Sequence, residues 1–231
     1  ITQIRKDDTN TYMVLTNDTT HDPVLLQEPE YVPALEVDNT QYEREHADRF
    51  TVNGRTMTVQ QRNDYAYYQC NVAALLQLGK WFDYMRENGV YDNTRIILVA
   101  DHGRGLYLNW DRVIDNGPDT DFFFPLLMVK DFNAEGFSFS DEFMTTADVP
   151  TLATSGLIDN PTNPFTGNAI NANAKYDRPF YAFMSYDWDT SKNNGNQFFP
   201  GTWYRVDNQN ARDKRNWVMV GENTVLPDAL R

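Results

Sequence analysis

Between Asp64 and Asn88, the residues Val72, Leu75, Leu76, Gly79 and Phe82 recur at three- and four-residue spacing. Gln77, Lys80, Arg86 and Glu87 take the other faces. That period predicts a helix with one apolar stripe. Asp64 is the expected N-cap, and Asn88-Gly89 the stop, because glycine accepts the left-handed conformation after a helix. Gly79 inside the helix costs about 1 kcal/mol relative to alanine and predicts close packing against a neighbour. Thr94 to Ala100 follows as a nearly continuous apolar run. Such a run marks a strand buried on both faces, as in a largely parallel sheet covered by helices.

Elsewhere the pattern is shorter. Thr11 to Leu15 (Thr-Tyr-Met-Val-Leu) has the composition and length of a buried strand. It runs into a polar loop, Thr16 to Pro23. Leu26 to Thr58 has two prolines, many charges and no sustained period. It reads as surface loop, either with one hairpin turning at Asn53-Gly54 or as an irregular excursion. Phe122 to Val129 is a second apolar strand in which Pro125 predicts an edge or a bulge. Ser140 to Gly156 reads as a helix capped by Ser140 and kinked at Val149-Pro150. Phe180 to Ser185 and Trp217 to Val220 complete the pattern as strands of a closing hairpin or small sheet.

The 231 residues, 41% hydrophobic and 14% aromatic, allow one large domain with a core of its own and rule out disorder for the bulk of the chain. The formal charge of -13 argues against a nucleic-acid partner, which needs clustered Lys and Arg. No apolar run approaches the ~20 residues of a transmembrane helix. A single cysteine, Cys70, makes no internal disulfide and reads as a packing residue.

The sharpest chemical signal is Asp101-His102-Gly103, directly after the predicted buried strand. There an acid and an imidazole stand at the carboxyl edge of a sheet, where open α/β folds bind ligands. Asp oxygen and His nitrogen are ligand types for Zn²⁺ or Mn²⁺. By itself the bare triplet reads more readily as an Asp-His pair that only hydrogen-bonds in a loop. His21, in the loop after the first predicted strand, reads either as a contact or general acid at an anionic oxygen or as an ordinary loop histidine. Arg104 and Arg112 read as anion contacts or as surface arginines. His46 lies in a charged stretch and reads as solvated. The aromatic tail (Tyr181, Phe183, Tyr186, Trp188, Phe198, Phe199, Trp203 and Tyr204) reads as the core of a small C-terminal sheet or as a sugar- or lipid-contacting surface. There is no Gly-x-Ser-x-Gly elbow and no Walker loop.

Taken together, four ordered blocks resemble the sulfatase / alkaline phosphatase superfamily. They are Thr20-His21-Asp22-Pro23, the stretch from Tyr84 to Asp101-His102-Gly103, Phe124-Pro-Leu-Leu-Met-Val129, and Thr146-Ala-Asp-Val-Pro-Thr-Leu-Ala-Thr-Ser-Gly156. Asp-His rather than Asp-Asn resembles the lipoteichoic acid synthase and phosphoethanolamine transferase branch. The resemblance implies an α/β fold: a partly parallel sheet covered by helices, alkaline phosphatase-like but incomplete, with a small C-terminal antiparallel β addition. The implied division is 1–170 for the sulfatase-like part and 171–231 for a β-rich subdomain.

The resemblance also implies a divalent metal, Mn²⁺ or Zn²⁺ with Mg²⁺ or Ca²⁺ as alternatives, bound by Asp101 and His102. His21, Arg104 and Arg112 would contact a phosphate- or sulfate-ester substrate. No residue here matches the family's nucleophile or its N-terminal acidic ligand. The expectation is therefore a fragment that holds metal weakly, from an extracytoplasmic and membrane-anchored parent hydrolase or transferase. An exposed apolar face and self-association would follow. The competing reading is a non-catalytic extracytoplasmic binding module.

Overall fold

A computed structural model of the chain describes residues 4, 9–59, 61–106, 112–115, 117–185 and 199–230. In order the elements are α1 (Thr40–Glu45), β1 (Thr51–Val52), β2 (Arg55–Thr56), α2 (Arg62–Glu87) and β3 (Ile96–Val99). Then come β4 (Leu127–Lys130), α3 (Val149–Thr154), β5 (Phe180–Met184), β6 (Gly201–Val206) and β7 (Trp217–Thr224). The class is mixed α/β. Two compact units share the chain: Ile1–Thr94 with Asp131–Ala134, and Arg95–Lys130 with Glu135–Arg231.

Helix α2 organises the first unit. Its N-cap is Gln61, one turn earlier than predicted, and Asp64 stands at the third helical position. The two side chains exchange hydrogen bonds with each other's backbone, a reciprocal capping box. The predicted stop holds: Gly89 sits at φ +69 and Val90 N–H donates to the Met85 carbonyl.

The predicted apolar stripe of α2 is not its buried face. Leu75 and Leu76 are 49% and 47% exposed, and a Cβ on Gly79 would meet nothing within 4 Å. The buried positions are Asp64, Ala66, Gln69, Cys70 and Met85. Against Gln69 and Cys70 lies the segment 24–28, in which only Gln27 has a β-bridge partner, Val32, among the described residues. Leu26 N–H donates to Gln69 Oε1 at 2.8 Å, and Cys70 Sγ bonds both the N–H and the carbonyl of Val24. Asn39 completes the arrangement, donating to the Leu26 carbonyl and accepting from Glu28 N–H. Buried backbone groups require partners, and here side chains supply them. That requirement decides which face of α2 is covered.

Thr11 to Leu15, predicted as a buried strand, has no strand partner among the described residues and is exposed, with Tyr12 at 75% and Val14 at 74%. A β-favouring composition makes a strand only where a ladder partner exists. The hairpin at 51–56 does form, with Asn53 and Gly54 both at positive φ in the turn.

The turn of residues 27–32 closes on itself through Gln27 and Val32, and the Tyr31 ring meets Tyr68 edge-on at 6.3 Å. Burial, followed by the hydrogen bond to Tyr68, raises the Tyr31 hydroxyl pKa above its ordinary value of 10.0. A folded-state pKa above the unfolded one gives stability that is present below pH 10 and lost as pH rises further. Alkaline titration followed by circular dichroism should therefore show the first unit weakening above about pH 10. Tyr31→Phe should flatten that limb; an unchanged limb would show that another group causes it.

In the second unit β3 and β4 pair antiparallel, Ile97 opposite Val129 and Leu98 opposite Met128. Every strand pair among the described residues is antiparallel, so the partly parallel sheet expected from the sequence is not what these strands form. Nor is the ribbon buried on both faces. Val99, Met128 and Val129 remain substantially exposed, because a two-stranded ribbon has no neighbouring strands and only partial cover. Pro125 precedes β4 instead of bulging within it, leaving the ladder intact.

The predicted helix from Ser140 contracts to α3. A Thr145–Asp148 capping box precedes it and Pro150 lies in its first turn. There the missing N–H costs nothing, so proline starts the helix where a kink was expected. Arg95, just before β3, donates to the carbonyls of Leu152, Ala153 and Ser155 at the other end of α3.

The C-terminal addition is a three-stranded antiparallel sheet in the order β5-β6-β7. Ala182, Tyr204, Val206 and Trp217 form its core. Tyr204 thus belongs to the core of this sheet, whereas Tyr186, Trp188 and Phe198 lie outside the described residues. No helix among the described residues is long and apolar enough to cross a membrane.

Candidate metal-binding site

Strand β3 delivers Asp101 and His102 to the end of the ribbon, where Ala100 N–H makes the last ladder bond to the Leu126 carbonyl. The chain then turns. Asp101 Oδ1 accepts from the His102 N–H at 2.9 Å, and His102 Nδ1 lies 2.7 Å from the Gly103 carbonyl. A carbonyl can only accept, so Nδ1 carries a proton, and in the neutral ring it is Nε2 that holds the lone pair. Nε2 and Asp101 Oδ2 are 3.9 Å apart, on side chains 62% and 89% exposed.

Glycine makes this turn possible by close approach. Gly103 N–H donates to the Phe122 carbonyl, and a Cβ there would collide with the carbonyls of Asp121 and Phe124. A Cβ on Gly105 would strike the Phe122 ring at 2.6 Å. The loop therefore rests directly on the turn 119–124. That turn is pinned by Asp119, fully buried, whose carboxylate accepts from Asp121 N–H, and by Phe123 packed on Trp217 at 5.1 Å. Thr120 is also fully buried, and its Oγ1 has no partner among the described residues. The sequence reading missed this support; the Asp119-Thr120-Asp121 spacing, an acid two residues before an N–H it caps, was the available signal.

Arg112 donates to Asp121 at 2.6 Å and lies over the Phe124 ring, so its guanidinium is engaged with the same supporting turn. Arg104 sits 6.0 Å from the centre of the Phe122 ring. His21 belongs to the first unit, exposed beside the Asp22 carboxylate at 3.3 Å, in a turn closed by its own N–H to the Asp18 carbonyl. His46 stacks on Tyr42 at 4.1 Å. Asp101, His102, Arg104 and Arg112 are thus gathered around one turn of the second unit.

The pair fits a cation in part. A neutral imidazole with its Nδ1–H held by a carbonyl is the ligating form of histidine. Two bonds of about 2.1 Å can span up to about 4.2 Å, which contains the observed separation. Among the described residues no third His, Cys, Asp or Glu joins them to form a metal-sized group. Comparison with protein-family models, with curated proteins and with solved structures finds no match to this chain.

Proposed function

We propose that the chain contributes two ligands, Asp101 and His102, to a divalent-metal centre acting on phosphate or sulfate esters, as in the sulfatase / alkaline phosphatase superfamily it resembles. The observation that carries this reading is the His102 geometry. Its Nδ1 is held by Gly103, while Nε2 and Asp101 Oδ2 stand 3.9 Å apart on open side chains. A bound Mn²⁺ or Zn²⁺ would polarise the ester's anionic oxygens and lower the proton affinity of a nucleophile. Arg104 and Arg112 are the proposed anion contacts nearby, Arg112 by releasing Asp121. Catalytic sites usually hold metal with three protein ligands, so a third comes from outside the described residues. An incomplete alkaline phosphatase-like arrangement and an extracytoplasmic parent belong to the same proposal.

Titration of ¹⁵N-labelled chain with Mn²⁺, followed by NMR, tests it. The His102 ring resonances should broaden at weak, sub-stoichiometric occupancy, and Asp101→Ala should remove the effect. Undisturbed His102 signals would overturn the metal reading. Micromolar or tighter binding that survives Asp101→Ala would overturn the assignment of this pair.

A further inference from the structure

Strand β3 has one strand neighbour among the described residues, β4. The ladder between them decides which backbone groups of β3 are used. Ala100 N–H donates to the Leu126 carbonyl, and the register sets Leu98 opposite Met128 and Ile96 opposite Lys130. Hydrogen-bonded positions alternate along an antiparallel pair. Ile96, Leu98 and Ala100 therefore turn their backbone groups toward β4, and Ile97 and Val99 turn theirs away. The outward N–H and carbonyl groups of Ile97 and Val99 have no partner among the described residues. An open edge of this kind is a template for another strand.

The two edges of the ribbon differ. Pro125 stands just before β4 and Lys130 at its end, residue types that blunt an edge. On β3, Ile96 to Ala100 carries no charge and no proline, in a chain of net charge -13, so a second copy meets no like charge along it. Its side chains are only partly covered, with Val99 39% exposed. A two-fold axis at Leu98 makes this edge complementary to itself. Ile97 then lies opposite Val99 of the partner subunit, and Val99 opposite Ile97 of the partner subunit. Each of these pairs exchanges both N–H···O bonds, and the two Leu98 residues face each other between them. The same register sets Arg95 against Asp101 of the partner subunit, so opposite charges meet at both ends of the seam.

We infer that β3 is the seam of a two-fold dimer, in which antiparallel β3–β3 pairing joins two ribbons into one continuous sheet. The seam lies within the second unit and does not depend on the metal proposal. Sedimentation velocity on the full chain over a range of concentrations should show reversible dimerisation. In a mixture of isotope-labelled and unlabelled chain, filtered NMR should give a contact between the α protons of Leu98 in the two copies. Val99→Pro removes one outward N–H from each copy and leaves every bond to β4. It should raise the dissociation constant about 30-fold, for two lost backbone bonds. Val99→Lys, at an exposed side chain, should also weaken the dimer although it lowers the net charge, and it is decisive where the proline variant misfolds. Three outcomes would each overturn the inference. They are a chain monomeric at every concentration, unchanged dimer affinity in a folded Val99 variant, and contacts to the β3 edge from Thr11 to Leu15 or any other segment in place of Leu98.

Discussion

Replacing Arg49 with Met is expected to destabilise the first unit by about 3–5 kcal/mol, the cost of leaving one member of a buried ion pair unpaired. The Glu28 side chain has no solvent exposure and that of Arg49 only 9%. Arg49 Nε and Nη2 donate to the two Glu28 oxygens at 3.3 and 3.4 Å. The guanidinium also lies over Phe50 at 4.3 Å and Tyr42 at 5.7 Å, so its removal loses packing as well as charge. Whole domains are stable by only about 5–15 kcal/mol, so a loss of this size should appear as an early unfolding transition of the first unit in urea. The double variant Glu28→Gln with Arg49→Met removes the stranded charge and should recover most of the loss. If Arg49→Met alone melts like the parent, the pair is not the constraint argued here.

The second large effect lies in the C-terminal sheet. Trp217→Ala should destabilise the second unit by about 3–5 kcal/mol, as large-to-small changes at buried aromatics do. Trp217 contacts Tyr204 and Phe123, and its Nε1–H donates to the Ala211 carbonyl at 2.8 Å. Phe123 belongs to the turn on which Gly103 rests, so the change should also loosen the Asp101-His102 loop. Amide hydrogen exchange reads both effects. Faster exchange at Gly103 N–H, now bonded to the Phe122 carbonyl, is the specific sign. Protection there unaltered by Trp217→Ala would break the proposed link between sheet core and site.

Both effects depend on contacts between residues distant in the chain, which is where the sequence reading ran out. The period of α2 was readable because helical spacing is a local property, and so was its glycine stop. The face that becomes buried was not. It depended on Gln69 and Cys70 satisfying the backbone of residues 24–28, a partnership that hydrophobic periodicity does not encode. Thr11 to Leu15 shows the same limit from the other side: its residues favour a strand, and no strand among the described residues pairs with it. A kink is expected at Pro150 from the sequence, but its place after the Thr145–Asp148 capping box makes it the first turn of α3. Strand β6 went unpredicted because its polar residues break the apolar run, and its pairing on both sides defines it.

For the candidate site, the sequence by itself determined the residue types and their order: Asp101, His102 and a glycine after an apolar strand. It also determined the glycine stop of α2 and the turn at Asn53-Gly54, because these follow from short-range backbone geometry. Only the tertiary structure decided that β3 pairs antiparallel with β4, that His102 presents Nε2, and that Arg112 is engaged by Asp121. It alone left the other edge of β3 without a strand among the described residues. Strand direction, tautomer and open edge all depend on which distant groups meet, and that is settled by the need to pair buried polar groups, not by the pattern along the chain.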